Sequence, residues 1–142
     1  MKKNDLPGHA DHAAELQAIT EAARDFIEGW YSADAERMKS SLHPELVKRS
    51  LYRDSKDGSS MRLGRSANAA MLTGWTDEGG GSDLASQDQT YEITVFDTFR
   101  HIASVKVESH KYVDYLHIAK IEGSWKIVND LWQLKEGDLT DS

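Results

Sequence analysis

The feature that most constrains the fold is the stretch Tyr112–Trp132, which reads YVDYLHIAKIEGSWKIVNDLW. Apolar, aromatic and β-branched side chains recur on both sides of the short polar break Glu122-Gly123-Ser124. Two such runs, separated by a short break that contains glycine, are typical of a β-hairpin. The stretch therefore predicts two long antiparallel strands, at 112–120 and 125–133, with a tight turn between them.

Two further strands are predicted just before this hairpin. From Thr90 onwards, apolar and polar residues alternate with a period of two, in Tyr91–Val95 and again in Ala103–Val107. A turn near Arg100-His101 separates the two runs. The sequence thus predicts an antiparallel sheet of four long strands, to which earlier segments add an edge.

The first part of the chain predicts helices. Apolar residues recur three and four positions apart, as an amphipathic helix requires, at Leu16, Ile19, Ala23, Phe26 and Trp30. Asp34 is suited to cap a short second helix at 35–42, which we expect to end at His43-Pro44 because a residue before proline is biased out of the helical region. A third helix is predicted at 66–75, with Ser66 as its cap.

Between these elements the sequence predicts a short hairpin and a long loop. Extended segments at 46–52 and 61–63 flank the turn signal Asp57-Gly58-Ser59-Ser60. Residues 76–88 include Gly79-Gly80-Gly81 and many small polar residues, which predicts a mobile loop with little to bury. Long loops of this kind are either lids or tolerated insertions.

Helices first and a meandering sheet afterwards indicate an α+β domain with its helices on one face of the sheet. At 142 residues the chain has the length of one domain. We expect a flexible N-terminal arm at 1–13, a single domain at 14–135 and a flexible C-terminal tail at 136–142.

Composition excludes several classes of partner. Lys and Arg number 17 against 24 Asp and Glu, and the resulting net charge of −7 disfavours nucleic acid. No apolar run approaches the roughly 20 residues that span a bilayer. The sequence contains no cysteine, which excludes disulfides and thiolate chemistry. We expect a soluble, cytoplasmic protein with no membrane or nucleic-acid partner.

Three motifs resemble the NTF2-like superfamily, and most closely its lumazine-binding or SnoaL-like branch. They are the Gly-x-Trp-Lys-Ile-Val turn at 123–128, the segment Phe26-Ile-Glu-Gly-Trp-Tyr-Ser-Ala-Asp34 and the segment Leu42-His-Pro-Glu45. The resemblance covers about residues 14 to 135. It implies a cone made of a curved antiparallel sheet of four to six strands and about three helices, with a pocket in its mouth and usually a homodimer through the sheet. The superfamily hosts several enzyme activities and non-catalytic binding modules, so the resemblance does not name a function.

One activity of the superfamily fits these residues poorly. Ketosteroid-isomerase-like members place a tyrosine on the first helix and a carboxylate near the first strand. In this chain the matching helix position is Phe26, and the matching strand region 47–50, Val-Lys-Arg-Ser, has no carboxylate. Enolate chemistry of that type is therefore discounted.

Asp114 and His43 are the candidates for acid–base chemistry. Asp114 interrupts an apolar strand, so its carboxylate must be hydrogen-bonded, paired or directed into a pocket. It either acts as an acid or base or forms a structural pair with Arg49 or Arg62. His43 either caps a helix end or reaches the mouth of the cone. His117 is expected on the face opposite Asp114, so those two do not form a dyad.

Aromatic residues supply the candidate ligand contacts. If the cone is open, four of them are suited to form walls around a small, flat, apolar or aromatic molecule: Trp30, Tyr31, Trp75 and Tyr112. Arg49 could then anchor an anionic group through a bidentate contact, or remain a solvated surface residue. Aromatic side chains line cores as often as pockets, so both roles stay open for them.

No metal site or cofactor is predicted. His9 and His12 could approach each other on a helical turn with Asp11 between them, but the segment is terminal, and metal sites usually need a third well-fixed ligand. Three functional hypotheses follow. The preferred one is a small-molecule binding module, the second is a SnoaL-like isomerase, cyclase or dehydratase that uses Asp114, and the third is a module that only dimerises through its sheet.

Overall fold

Two helices, joined by Ala33 and the capping residue Asp34, open the fold. The structure is a computed structural model that describes residues 9–140. Helix α1 spans His9–Ser32 and α2 spans Ala35–Ser41. Asp34 accepts a hydrogen bond from the backbone N–H of Arg37 at 3.1 Å, which confirms the predicted cap. Because α1 begins at His9, part of the segment predicted as an arm is helical.

Gly29 explains how closely α1 and α2 pack. A Cβ atom at this position would lie 3.0 Å from the backbone nitrogen of Met38 in α2. Any side chain would push the two helices apart, so the helix accepts the conformational cost of a glycine at this position.

Strand β1, Leu42–Arg53, follows α2 without a loop, so His43 and Pro44, where the helix was expected to end, already lie within the strand. It pairs in antiparallel fashion with β2, Met61–Leu63, as predicted for the first hairpin. The end of β1 also pairs in parallel with β7, Leu139–Thr140. These two residues of the predicted flexible tail therefore belong to the sheet.

Helix α3 spans Ala69–Asp77, and its cap is Asn68, not Ser66 as predicted. The side-chain oxygen of Asn68 accepts from the N–H of Met71 at 2.8 Å. The helix starts late because Ala67 exchanges two backbone hydrogen bonds with Lys48 of β1, at 2.9 and 2.7 Å. That bridge holds the chain extended up to residue 67.

Four long strands complete the sheet: β3 Tyr91–Phe99, β4 Ile102–Ser109, β5 Tyr112–Ile121 and β6 Ser124–Leu134. The strand order is β2-β1-β6-β5-β4-β3. The sheet is curved and unclosed, and it is mixed, because β1 and β6 run parallel. The antiparallel prediction fails only for strands that are not joined by hairpins, where no tight turn dictates direction.

The hydrophobic core lies between the helices and the inner face of the sheet. The largest fully buried side chains there include Ile19, Met38, Val105, Val107, Leu116, Ile118 and Ile127. The outer face of the sheet exposes large apolar residues, among them Phe96, Tyr115 and Leu131. Across residues 9–140, no helix is long and apolar enough to cross a membrane.

Candidate functional site

A cavity of about 130 Å³ opens between the helices and the inner face of the sheet. Five of its lining side chains are aromatic: Phe26, Trp30, Trp75, Tyr112 and Trp132. Three are aliphatic: Ile27, Met38 and Leu72. The remaining two, Lys48 and Asp114, are charged. The cavity is thus an apolar, largely aromatic space with a charged pair in its wall.

Lys48 belongs to a buried group of three charged side chains. Its ammonium lies 3.2 Å from Oδ2 of Asp114 and 2.5 Å from Oδ2 of Asp130. The three side chains are 12%, 6% and 0% exposed, respectively. Strand register explains the grouping, since Lys48 in β1 lies opposite Asp130 in β6, and Asp114 in β5 lies opposite Trp132 in β6. We call Lys48, Asp114 and Asp130 the charged triad.

Burial raises the pKa of Asp130 well above its usual range, and the neighbouring carboxylate of Asp114 adds to the rise, although the ammonium of Lys48 opposes it. Burial also lowers the pKa of Lys48, but its two carboxylate partners outweigh that effect and hold the pKa above its ordinary value. Among the described residues, Oδ1 of Asp130 has no hydrogen-bond partner. The triad therefore combines a firmly charged ammonium with a carboxyl group that tends to keep its proton.

Aromatic rings surround the ammonium of Lys48. It lies 5.5 Å from the ring centre of Phe26 and 5.2 Å from that of Trp132, which is within cation–π range. Tyr112 contacts Trp132 edge to face, with ring centres 5.2 Å apart. Burial, and next the charge of Asp114, raise the pKa of Tyr112, so its hydroxyl stays protonated and can donate.

The glycine-rich segment packs against the wall of the cavity. The N–H of Gly81 donates to the carbonyl of Trp30 at 2.9 Å, and Gly81 is buried. A Cβ atom at Gly80 would lie 2.5 Å from the same carbonyl, and one at Gly81 would lie 2.8 Å from Nε1 of Trp30. The sequence predicted a mobile loop with little to bury, but the loop is packed at its glycines. Because glycine has no side chain, the backbone there can approach the Trp30 indole.

The structure brings Asp114, Trp30, Trp75 and Tyr112 together around the cavity. Tyr31 instead faces a neighbouring space of about 50 Å³, which also touches Trp30 and Tyr112. The Tyr31 hydroxyl donates to the carbonyl of Thr90 at 2.7 Å and accepts from the N–H of His110 at 3.0 Å. Its hydrogen bonds tie α1 to the residue just before β3 and to the residue just after β4.

Arg49 and His43 lie away from this cavity. Arg49 is exposed, because successive residues of a strand face opposite sides and its neighbour Lys48 faces inwards. Nδ1 of His43 accepts from the N–H of Glu45 at 3.0 Å, a local contact within β1. Neither residue lines the cavity.

The predicted ion pair of Asp114 with Arg49 or Arg62 is wrong, since Lys48 is its partner and Arg62 pairs with Asp54 at 2.6 Å. His117 is exposed while Asp114 is buried, which confirms that they face opposite sides. The side chain of His9 lies outside the described residues, so the His9–His12 pair is not observed. Among the described residues, no group of three potential metal ligands occurs.

Sequence patterns did not single out Lys48 or Asp130. Asp130 interrupts an apolar strand in the same way as Asp114, within Ile127-Val-Asn-Asp-Leu-Trp132. That interruption was a usable signal for a second buried carboxylate. Lys48 gave no such signal, because lysine is common on the exposed face of a strand and its burial cannot be seen in the sequence.

Comparison with known proteins identifies the fold and the family. Residues 14–133 match the family described as "Putative lumazine-binding". No curated protein matches the chain in sequence. An NTF2-like protein of unknown function from Silicibacter pomeroyi is similar in structure, with a TM-score of 0.65 at 12% identity over 87% of this chain and 98% of that one.

Two further solved structures are similar. One is an NTF2-like protein of unknown function from Shewanella baltica, with a TM-score of 0.63 at 16% identity over 88% of this chain and 97% of that one. The other is a ketosteroid isomerase-like protein from Erwinia carotovora atroseptica, with a TM-score of 0.55 at 18% identity over 87% and 98%. At such identities these likenesses establish the fold alone. The chain has the fold of the NTF2-like proteins and is a member of the "Putative lumazine-binding" family.

Proposed function

We propose that this protein binds a small, flat, mostly apolar or aromatic molecule in the cavity between its helices and its sheet. The main support for the proposal is the composition of the cavity wall. Five aromatic rings surround a space that Asp114 and Lys48 also line. Ligand sites are concave, mostly apolar and equipped with a few polar groups that fix orientation. A filled core would instead leave the charged pair enclosed by packed side chains.

The size of the cavity limits the ligand. Pockets for drug-sized molecules measure roughly 300–1,000 Å³, well above the 130 Å³ of this cavity. The expected ligand therefore has one or two rings, held between Trp30 and Trp75 on the helix side and Trp132 on the sheet side. Its polar group reaches Asp114, Lys48 or the Tyr112 hydroxyl.

A titration with lumazine tests the proposal with the heterocycle that gives the family its description. We expect quenching or a shift of the lumazine fluorescence on binding, with an affinity that the variant Trp75→Leu weakens at least several-fold. Trp75 is 42% exposed, so its replacement leaves the core intact. Phe99→Leu, at an exposed aromatic residue of the sheet, is the matched control and should bind as the native protein does.

Native mass spectrometry of the protein purified without denaturation extends this test to other molecules. A stoichiometric small molecule that is retained by the native protein and lost from Trp75→Leu supports the proposal. If neither lumazine nor any retained molecule distinguishes Trp75→Leu from Phe99→Leu, the proposal is wrong.

Acid–base catalysis by Asp114 is the second candidate function. Its carboxylate lines the cavity, and burial raises the pKa of the neighbouring Asp130, so a carboxyl group that tends to keep its proton lies beside it. Phenylacetone dissolved in D₂O provides a simple test. Faster exchange of its α-protons with the native protein than with Asp114→Asn supports catalysis, and equal rates in the two folded proteins remove Asp114 from it.

We also propose that the outer face of the sheet pairs with a second copy of the chain. Phe96 and Tyr115 are exposed there and stack on each other, with ring centres 6.2 Å apart, and Leu131 is exposed as well. Exposed apolar patches mark interaction surfaces. Light scattering should give the mass of a dimer for the native protein and of a monomer for Tyr115→Lys; a native monomer would contradict this pairing.

A further inference from the structure

We propose that the occupant of the cavity is an organic cation, an ammonium or a protonated heterocyclic base attached to one or two flat rings. This inference rests on the proposed binding function and adds the charge of the ligand to it. The charge of the cavity wall and the aromatic rings that line it both lead to it.

The charge balance of the triad favours a cation. When all three groups are ionised, two carboxylates face one ammonium, which leaves one negative charge in a region where the side chains are 0–12% exposed. An anionic ligand would have to draw Lys48 away from both carboxylates. A cation next to Asp114 would instead neutralise the remaining negative charge. Such pairing is strong in a medium of low dielectric constant.

No other lining group in the described part of the chain opposes a cation. Helices α1, α2 and α3 contribute only uncharged side chains to the cavity, and β5 adds the Tyr112 hydroxyl beside Asp114. The smaller neighbouring space is lined by two charged residues, Asp83 and Lys111, which have opposite signs. The triad therefore sets the sign of the electrostatic preference.

The aromatic walls favour the same sign. The faces of aromatic rings carry partial negative charge and attract cations. Lys48 already uses the rings of Phe26 and Trp132 in this way, at 5.5 and 5.2 Å. Trp30, Trp75 and Tyr112 line the rest of the cavity and remain available to a second cation. Anions gain nothing comparable from these ring faces.

The buried carboxyl group of Asp130 should make binding of the cation depend on pH. Its carboxyl tends to keep a proton because it is buried beside Asp114. A bound cation favours the ionised form of both carboxylates, so binding should release a proton and strengthen as the pH rises. Lys48 and Tyr112 stay protonated over this range, since the pKa of each is raised.

Three probes of nearly equal size test the proposal: benzylammonium, benzyl alcohol and benzoate. Their binding can be followed through the indole N–H signals in NMR spectra. Three of the four tryptophans, Trp30, Trp75 and Trp132, line the cavity, whereas the indole N–H of Trp125 donates to Glu15 at 2.9 Å and serves as an internal reference. Each probe is titrated between about pH 5 and pH 8, where a primary ammonium stays protonated.

We expect benzylammonium to bind about tenfold more tightly than benzyl alcohol, and benzoate to bind more weakly than either. Asp114→Asn should remove most of the preference for the cation. Glu92→Gln, which removes a negative charge at an exposed position of β3, is the matched control and should keep it. If Asp114→Asn does not fold, Trp75→Leu takes its place, and it should weaken the cation more than the alcohol.

Each result decides between the inference and the function on which it rests. If benzyl alcohol or benzoate shifts the cavity tryptophans at equal or lower concentration than benzylammonium, the cation inference is overturned while small-molecule binding stands. A preference that Glu92→Gln abolishes and Asp114→Asn retains would also overturn it, since the attraction would then arise at the surface. If none of the probes shifts these signals, both the inference and the proposed function are wrong.

Discussion

The ammonium of Lys48 lies 2.5 Å from the carboxylate of Asp130, a residue 82 positions later in the chain. The parallel pairing of β1 with β6 creates this contact by placing the two residues opposite each other. Asp114 then joins from β5, so one cation serves two buried carboxylates. The stability of the fold and the proposed ligand binding therefore depend on the same buried charges.

Replacing Lys48 by methionine should destabilise the protein strongly. The change leaves two buried carboxylates without a cation, and removing one partner of a buried ion pair costs about 3–5 kcal/mol. Denaturant unfolding followed by tryptophan fluorescence measures the loss. Lys106→Met, at a partly exposed pair with Glu108, should change the unfolding midpoint little.

A second substitution tests the reason for that loss. Adding Asp130→Asn to Lys48→Met removes one of the two carboxylates, so it should restore part of the lost stability. If the double variant is less stable than Lys48→Met, repulsion between Asp114 and Asp130 is not the cause of the destabilisation.

The free energy of unfolding should depend on pH through the titration of Asp130. Its pKa is raised in the folded protein, so the folded state holds this proton more tightly than the unfolded state does. Folding stability from this group is therefore greatest at low pH and falls as the pH rises from about 4, the unfolded value, through the raised folded pKa. The free energy of unfolding of the native protein should fall relative to that of Asp130→Asn over this range. A difference between the two proteins that stays constant with pH would refute the assignment.

Gly80→Ala should disturb both the fold and the cavity. Gly80 has a φ of +49°, and a Cβ atom there would lie 2.5 Å from the carbonyl of Trp30. We expect a loss of more than about 1 kcal/mol in stability and a shift of the Trp30 indole signal. Gly74→Ala is the matched control, since a Cβ atom at that helical position meets no atom within 4 Å. It should stabilise α3 by up to about 1 kcal/mol, and equal effects of the two changes would contradict this explanation.

The β5–β6 turn offers a stabilising substitution. Glu122 and Gly123 both have positive φ, at 52° and 84°, as a two-residue type I′ turn requires. Asparagine tolerates this conformation better than glutamate, so Glu122→Asn should raise stability by about 0.5 kcal/mol. Glu136→Asn, outside the turn, should leave the thermal midpoint unchanged. A lower midpoint for Glu122→Asn would show that the glutamate side chain itself stabilises the turn.

Local patterns predicted the local structure well. The recurring apolar, aromatic and β-branched residues of Tyr112–Trp132, with the break Glu122-Gly123-Ser124, gave the hairpin, and the acceptor at Asp34 gave the start of α2. The contacts that these patterns missed join distant residues. Lys48 meets Asp130 only through the parallel β1–β6 pair, and Asn68 displaces Ser66 as the cap of α3 because Ala67 bridges to β1.

Contacts between distant residues also limited the prediction of the candidate site. Trp30, Trp75, Tyr112 and Asp114 could be proposed because aromatic residues and a carboxylate stand out in apolar stripes. Arg49 was proposed as an anchor in place of its neighbour Lys48, since the direction in which a strand residue faces depends on a register that the sequence of β1 leaves open.

The location of a bound probe tests the central claim most directly. Intermolecular nuclear Overhauser effects from benzyl alcohol identify the side chains that it touches in solution. If the cavity is the ligand site, the aromatic protons of the probe should give effects to Phe26, Leu72 and Trp75, all of which line it. Effects confined to Phe96 and Tyr115 on the outer face of the sheet, or none at a saturating concentration, would contradict the claim.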